Sequence, residues 1–170
     1  MILEERNMDL FVVPKDYSLV YTIAKDFVNR KGYAAKMNNR YKAMNITVKR
    51  AYKKAKDPGL RCIGFKPLNE KRFIYNLIIK DKCTHISNYE DLFEALIQLK
   101  DDMAAMDVTK IAMPKIGIGD DGLNWNQVKE VIELAFSDTN IEILVCCTAF
   151  DKDNPPTDNN GVVEKDETEN

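Results

Sequence analysis

Short apolar runs alternate with longer amphipathic segments along most of this chain, a pattern typical of a β-sheet covered by helices. Five runs are rich in β-branched and aromatic residues and predict strands at residues 19–24, 60–65, 72–79, 108–113 and 141–147. The last run is nearly all apolar, which indicates a strand buried on both faces. Residues 2–4 predict a short edge strand. The spacing within 19–24 also suits a helix, so the pattern leaves both alternatives open there.

Four segments carry apolar residues at helical spacing. Residues 33–41 and 46–56 predict two helices, and the turn Asp57-Pro-Gly59 ends the second. Asn88 and Asn124 are placed to cap two more, because an asparagine side chain accepts hydrogen bonds from the first free N–H groups of a helix. Strands and helices alternate through the C-terminal half. We therefore expect an α/β fold in three layers, with helices on both faces of a central mixed, largely parallel sheet.

The chain has 170 residues, of which 45% are hydrophobic, and this suits one globular domain. We expect that domain at residues 1–150 and a disordered acidic tail at 151–170, where seven acids accompany two bases. No apolar run is long enough to span a membrane, and the N-terminus lacks the basic start and apolar block of a signal peptide. We therefore expect an intracellular monomer, in the nucleus or the cytoplasm, that is neither secreted nor bound to a membrane.

The cysteines and the histidine argue against a metal centre. Four cysteines show no Cys-x-x-Cys spacing, and His85 is the single histidine. Buried free thiols in a reducing compartment are the expected state of the cysteines. We expect neither a metal nor a cofactor.

Positive charge is concentrated in one part of a chain whose net charge is −2. Residues 25–66, called the basic segment below, hold thirteen Lys and Arg against Asp26 and Asp57 alone. Such a segment indicates an anionic partner, which is a nucleotide, a nucleic acid or another polyanion. A solvated basic surface explains the same pattern equally well.

A glycine-spaced loop follows the apolar run that ends at Pro114. Gly117 and Gly119 flank Ile118, and a predicted helix begins a few residues later. Glycines let backbone N–H groups turn inward and approach an anion closely. A strand before the loop and a helix after it favour a ligand site, although Gly-x-Gly alone is a common turn.

Several stretches together resemble the macro domain family, and most of all its branch of terminal ADP-ribose protein glycohydrolases, which hydrolyse ADP-ribosyl-glutamate and O-acyl-ADP-ribose. The resemblance spans about residues 6–148. It rests on Met8-Asp-Leu-Phe11, Asp16-Tyr-Ser-Leu19, Arg72-Phe-Ile-Tyr-Asn-Leu-Ile-Ile-Lys80, Tyr89-Glu-Asp-Leu92 and Met113-Pro-Lys-Ile-Gly-Ile-Gly-Asp-Asp-Gly-Leu-Asn-Trp125. Other macro domains share the fold but lack the lysine at the end of the third stretch.

The resemblance implies residues that bind ADP-ribose. Asp9 corresponds to the aspartate that bonds the amino group of adenine, and Leu10 beside it supplies backbone contacts. A carboxylate suits that role because adenine presents a donor there. The phosphate-binding loop corresponds to Gly117, Ile118 and Gly119, and Gly32 is what remains of the glycine-rich loop that faces it.

The resemblance also implies a catalytic pair. Lys80 corresponds to the family's catalytic lysine and Asp121 to its partner. Lys80 ends an apolar run, so part of its stem is expected to be buried, and burial disfavours the charged ammonium and frees the amine as a nucleophile. Asp121 would shuttle the proton. Read without the family, Lys80 is a charged strand end, Asp121 is one of two loop acids, and Asp9 caps a turn.

The chain departs from the family pattern at two places. Residues 29–34 keep only Gly32 of the glycine-rich loop, and Arg30 and Lys31 stand where the family has small residues. Their side chains would either narrow the cleft or reach the diphosphate in place of backbone donors. Met8 stands where the family often has glycine.

Three functions follow as hypotheses. The first is a hydrolase that removes ADP-ribose from the acidic side chains of a protein or from an acylated ADP-ribose. The second is a module that binds ADP-ribose, free or on a protein, without catalysis. The third is binding of poly-ADP-ribose or nucleic acid by the basic segment.

Overall fold

The structure is a computed structural model that describes residues 1–148. Six strands form one sheet: β1 (Ile2–Asn7), β2 (Ser18–Ala24), β3 (Cys62–Phe65), β4 (Ile74–Lys80), β5 (Lys110–Pro114) and β6 (Glu142–Cys147). Their order is β1-β6-β5-β2-β4-β3, and within the described residues β3 alone is antiparallel to its neighbour. The expected mixed, largely parallel sheet is therefore confirmed. The run at 19–24 is a strand, and the edge strand is longer than the predicted residues 2–4.

Four α-helices cover the sheet: α1 (Gly32–Arg40), α2 (Met44–Ala55), α3 (Tyr89–Ala105) and α4 (Trp125–Phe136). Two short 3-10 helices, Leu10–Val12 and Gly119–Asp121, lie in loops. Asn88 accepts a hydrogen bond from the N–H of Asp91 at 2.8 Å, and Asn124 accepts one from the N–H of Asn126 at 3.0 Å. Both predicted caps are thus confirmed. No helix among residues 1–148 is long and apolar enough to cross a bilayer.

The two faces of the sheet carry separate hydrophobic cores, because successive side chains of a strand point to opposite sides. Leu77 and Ile79 of β4 pack in the core formed with α3 and α4, whereas Ile74 and Ile78 pack in the core formed with α1 and α2. This arrangement confirms the three layers. The predicted boundary at residue 150 and the predicted disorder of 151–170 lie outside the described residues.

An ion pair fixes the α1–α2 corner to the start of β4. Arg72 is 3% exposed, and its Nε donates to Oε2 of Glu70 at 2.9 Å. The hydroxyl of Tyr41, at the end of α1, donates to the same oxygen at 2.9 Å. Burial raises the pKa of Glu70, but the hydrogen bonds from Arg72 and Tyr41 lower it by more than burial raises it. The pKa of Glu70 therefore lies below its usual value.

Replacing Glu70 by glutamine should leave Arg72 buried without its counter-charge. We expect Glu70→Gln to lower the free energy of unfolding by about 2–3 kcal/mol at neutral pH. Because the folded-state pKa of Glu70 is lowered, its contribution is present above the ordinary pKa and is lost as the pH falls through the folded-state value. The difference between wild type and variant should therefore shrink in acid, as urea unfolding at about pH 7 and about pH 3 would measure.

The control for this experiment is Glu4→Gln. Glu4 pairs with Arg6 at 2.7 Å, but both side chains are more than half exposed, so water screens the pair. The control should unfold almost like the wild type. A Glu70→Gln variant that also matches the wild type at neutral pH would contradict the assigned role of the Glu70–Arg72 pair.

Candidate active site

A cleft of about 680 Å³ opens where the carboxyl ends of β2, β4 and β5 meet. In the sheet, β4 lies on one side of β2 and β5 lies on the other. The chain therefore crosses from one side of β2 to the other between β4 and β5. Loops after neighbouring parallel strands diverge at such a point and leave a crevice, which is where α/β sheets bind ligands. The strand order therefore accounts for the position of the cleft.

Lys80 and Asp121 form an ion pair in this cleft. Nζ of Lys80 lies 2.6 Å from Oδ1 of Asp121, and their side chains are 9% and 18% exposed. The same amine donates to the carbonyl oxygen of Cys83 at 3.1 Å. Lys80 pairs with Ala24 although Ile78 pairs with Ile23, so β4 carries an extra residue just before the lysine. A β-bulge of this kind bends the strand and re-aims side chains beside it.

The loop that contains Gly117, Ile118 and Gly119, called the glycine loop below, lies between β5 and α4. Gly117 and Gly119 have φ values of 78° and 69°, which side chains with a Cβ rarely adopt. The carbonyl of Gly117 accepts the N–H of Leu123 at 2.8 Å, which closes the loop. The N–H groups of Gly117 and Ile118 have no hydrogen-bond partner within residues 1–148, and both residues line the cleft. Donors of this kind are suited to an anion.

Residues 29–34, called the altered loop below, face the glycine loop across the cleft. Gly32 begins α1 with a φ of 66°, and Arg30 and Lys31 line the same cleft. Nζ of Lys31 lies 3.2 Å from Oδ2 of Asp120, with both side chains largely exposed. An ion pair therefore bridges the mouth of the cleft at a position where the family has small residues.

Five of the eight predicted site residues line the cleft: Lys80, Asp121, Gly32, Gly117 and Ile118. Gly119 lies in the same loop. Asp9 and Leu10 do not line this cavity. Asp9 accepts the N–H of Phe11 at 2.8 Å and caps the 3-10 helix Leu10–Val12, as its alternative reading predicts, and Leu10 is fully buried. The adenine contact of Asp9 and the backbone contacts of Leu10 stay predictions.

The structure adds residues that sequence reasoning missed. Cys83 and Thr84 line the cleft from the loop after Lys80, and Tyr21 lines it from β2. Asp26 bonds to Cys83 beside it. Three of these, Cys83, Thr84 and Asp26, lie within a few residues of a predicted strand end, and that position was the available signal. Trp125 is buried, as expected of a packing residue, and its Nε1 donates to Glu5.

A metal centre has no support among the described residues. No group of three or more His, Cys, Asp or Glu side chains between residues 1 and 148 is arranged to hold a metal ion. Among the residues that line the cleft, Lys80 and Asp121 bring an amine and a carboxylate into contact.

No family model matches the chain. Curated proteins do match it. The ADP-ribose glycohydrolase OARD1 from Homo sapiens and the one from Bos taurus are each 32% identical over 137 residues, which is 81% of this chain and 86% of theirs. A DNA ADP-ribosyl glycohydrolase from Thermus aquaticus is 36% identical over 69 residues, which is 41% of this chain and 19% of that protein.

Solved structures share the fold. The macrodomain of Thermus aquaticus DarG has a TM-score of 0.75 and 26% identity, covering 85% of this chain and 97% of that one. Thermosipho africanus DarTG in complex with ADP-ribose has a TM-score of 0.78 over 91% of this chain and 43% of that one. At 16% identity, the second likeness shows the fold alone.

The two glycines of the loop should differ in their tolerance of a side chain. A Cβ on Gly117 would lie 2.9 Å from Cδ1 of the buried Leu123, whereas one on Gly119 would meet no described atom within 4 Å. Both substitutions to alanine carry a conformational cost of roughly 1–2 kcal/mol. We expect Gly117→Ala to lose about 1–3 kcal/mol more, because Leu123 must move. Urea unfolding would measure both, and equal losses would show that Leu123 gives way freely.

Proposed function

This chain belongs to the macro domain family of ADP-ribose glycohydrolases, and we propose that it binds ADP-ribose in the cleft and hydrolyses ADP-ribosyl esters of glutamate or aspartate, or O-acyl-ADP-ribose. The names of its relatives support ADP-ribose as the ligand and hydrolysis as the reaction. The observation that carries the finer proposal is the Lys80–Asp121 pair, which lies within the cleft next to the glycine loop.

Lys80 is the proposed nucleophile. Its amine lies 2.6 Å from the carboxylate of Asp121, a distance over which it can donate a proton. Transfer of that proton to Asp121 frees the lone pair, which attacks the anomeric carbon of the distal ribose. The bond from that carbon to the ester oxygen breaks, and the acidic side chain leaves as a carboxylate. Water then attacks the same carbon, the bond from that carbon to the amine breaks, and the proton lost by the water passes to solvent. Asp121 returns its proton to Lys80. The products are ADP-ribose and the carboxylate.

The glycine loop is the proposed diphosphate site. The N–H groups of Gly117 and Ile118 are available to phosphate oxygens, and α4 begins a few residues farther on. Lys31 supplies a charged donor on the opposite loop, in exchange for its contact with Asp120. Asp9 and Leu10 are the proposed contacts of the adenine, beyond the cavity that holds the catalytic pair.

A reader of ADP-ribose without catalysis is the alternative. The altered loop at 29–34 favours it, because side chains at Arg30 and Lys31 restrict the approach of the backbone to the distal ribose. The ion pair of Lys80 with Asp121 favours the hydrolase, because binding alone does not require a mostly buried amine and carboxylate in contact.

Polyanion binding by the basic segment is a second candidate function, supported by a separate observation. Between residues 27 and 56 the chain has ten Lys and Arg and no acid. The four cations of α2 are exposed and have no ion-pair partner among residues 1–148: Lys49, Arg50, Lys53 and Lys54. A surface of this charge fits poly-ADP-ribose or nucleic acid. The relative named as a DNA ADP-ribosyl glycohydrolase makes nucleic acid a relevant choice.

The hydrolase is tested by Lys80→Ala. Calorimetry with ADP-ribose should give similar affinity for variant and wild type, whereas release of ADP-ribose from a glutamate-modified protein should fall below about a thousandth of the wild-type rate. Lys82→Ala is the matched control, since Lys82 is exposed two residues farther on and does not line the cleft. Full activity in Lys80→Ala would end the nucleophile assignment. Binding without release by the wild type would leave the reader, and no binding would exclude both.

Polyanion binding is tested by charge reversal on α2. The double variant Lys49→Glu/Lys53→Glu should weaken binding to fluorescent single-stranded DNA or poly-ADP-ribose. It should also reduce the slope of log K against log salt by about 2, because two phosphate contacts are lost. The control reverses the charges of Lys15 and Lys71, which are exposed and lie outside α1 and α2. An unchanged slope in the α2 variant would show that the surface is merely solvated.

A further inference from the structure

The turn after β2 carries a carboxylate, Asp26, that bonds to two loops. Its Oδ1 accepts the N–H of Val28 at 3.1 Å, within its own turn, and its Oδ2 accepts the N–H of Cys83 at 2.9 Å. The second bond joins residues that are 57 positions apart and connects the β2–α1 loop to the β4–α3 loop. An aspartate that merely stabilises its own turn needs only the first bond. The second bond therefore requires another explanation.

The backbone of Cys83 connects Asp26 to Lys80, through the N–H before its Cα and the carbonyl after it. Its N–H donates to Asp26, and its carbonyl oxygen accepts from Nζ of Lys80 at 3.1 Å. The same Nζ lies 2.6 Å from Asp121. A lysine amine has three rotatable donors on a flexible stem, so its direction depends on the acceptors around it. One of those two acceptors is held in place by Asp26.

The turn that contains Asp26 is itself tightly constrained. Burial raises the pKa of Asp26, but the N–H groups of Cys83 and Val28, together with the charge of Lys80, lower it by more than burial raises it. The pKa therefore lies below its usual value, and the carboxylate is ionised at neutral pH. Phe27 has a φ of 55° and is buried, with its ring 5.6 Å from that of Tyr52. A residue of this size in the left-handed region is strained and persists only where surrounding contacts over-determine it.

We propose that Asp26 is a positioning residue that holds the backbone of Cys83 and thereby fixes the direction in which Lys80 presents its amine to the cleft. What the amine then does rests on the function proposed above, but its placement can be measured without that function. When Asp26 no longer accepts the N–H of Cys83, this backbone loses its anchor. The carbonyl of Cys83 can then turn away, and Asp121 alone holds the amine.

Asp26→Asn is the test variant, because an amide has one acceptor oxygen. With that oxygen on the N–H of Val28 in its own turn, the NH₂ group faces the N–H of Cys83 and the bond between the loops is lost. Asp57→Asn is the matched control. Oδ1 of Asp57 accepts the N–H of Gly59 at 2.9 Å, which is the same kind of local turn bond, and Asp57 does not line the cleft. Asp26→Glu keeps the charge and both oxygens and serves as the conservative variant.

The first measurement is the reactivity of Lys80. The full chain is treated with an acylating reagent, and modification is followed by mass spectrometry. Lys80 should react severalfold faster in Asp26→Asn than in wild type, because its amine has lost one acceptor. The rate at Lys82 in Asp26→Asn, and the rate at Lys80 in Asp57→Asn, should equal the wild-type rates. An unchanged Lys80 rate in folded Asp26→Asn would overturn the proposal, whatever reaction the chain catalyses.

The second measurement separates turnover from binding. In release of ADP-ribose from a glutamate-modified protein, Asp26→Asn should lower kcat by about 10- to 100-fold, as expected for a misplaced catalytic group. Its affinity for ADP-ribose should stay at the wild-type value, and Asp26→Glu should recover part of kcat. A parallel loss of affinity and kcat would overturn the proposal in favour of a structural role. If the wild type releases no ADP-ribose, the hydrolase is wrong, and the reactivity of Lys80 still decides the role of Asp26.

Discussion

The position of β2 between β4 and β5 is the constraint on which the rest of the structure depends. Because the three strands are parallel, their carboxyl ends meet at one edge, and the loops that leave them diverge. Lys80 ends β4, and Asp121 follows β5 after the glycine loop, so two residues far apart in the chain come within 2.6 Å. Neither helix propensity nor local spacing contributes to that meeting. It follows from the strand order, in a sheet that helices cover on both faces.

Several left-handed backbone positions border the cleft or the turn beside it: Phe27, Gly32, Gly117, Gly119 and Gly122. Glycine adopts this conformation readily, so Phe27 is the strained residue of this group. Within the sheet, the amide of Asn76 accepts the hydroxyl of Tyr21 and donates to two backbone carbonyls, so these polar groups are satisfied in the interior. A strained residue beside a cleft persists where surrounding contacts hold it, and this is typical of a site held ready for a ligand.

The sequence was sufficient for elements whose causes are local. Asn88 and Asn124 cap helices through side chains that reach only a few residues ahead, and the run at 141–147 is largely buried because it is nearly all apolar. It was not sufficient for pairings across the sheet. Lys80 and Asp121 were linked only through the family resemblance, since each alone reads as a surface charge. For Asp26 the available signal is only its position just after a predicted strand, because its second hydrogen bond depends on Cys83, which is distant in sequence.

The altered loop changes how the mouth of the cleft handles charge. In place of a run of glycines it presents Lys31, paired with Asp120 where water screens both groups. An exposed pair of this kind is worth about 1 kcal/mol or less, so an anionic group displaces Asp120 at small cost. The N–H donors of the glycine loop differ from Lys31, because the backbone fixes their positions and they carry no net charge for salt to screen. Deeper in the cleft, Lys80 and Asp121 are mostly shielded, so their interaction is screened much less than that of Lys31 and Asp120. The charge of Lys31 thus makes the entrance sensitive to salt, while the Lys80–Asp121 pair is largely insulated from it.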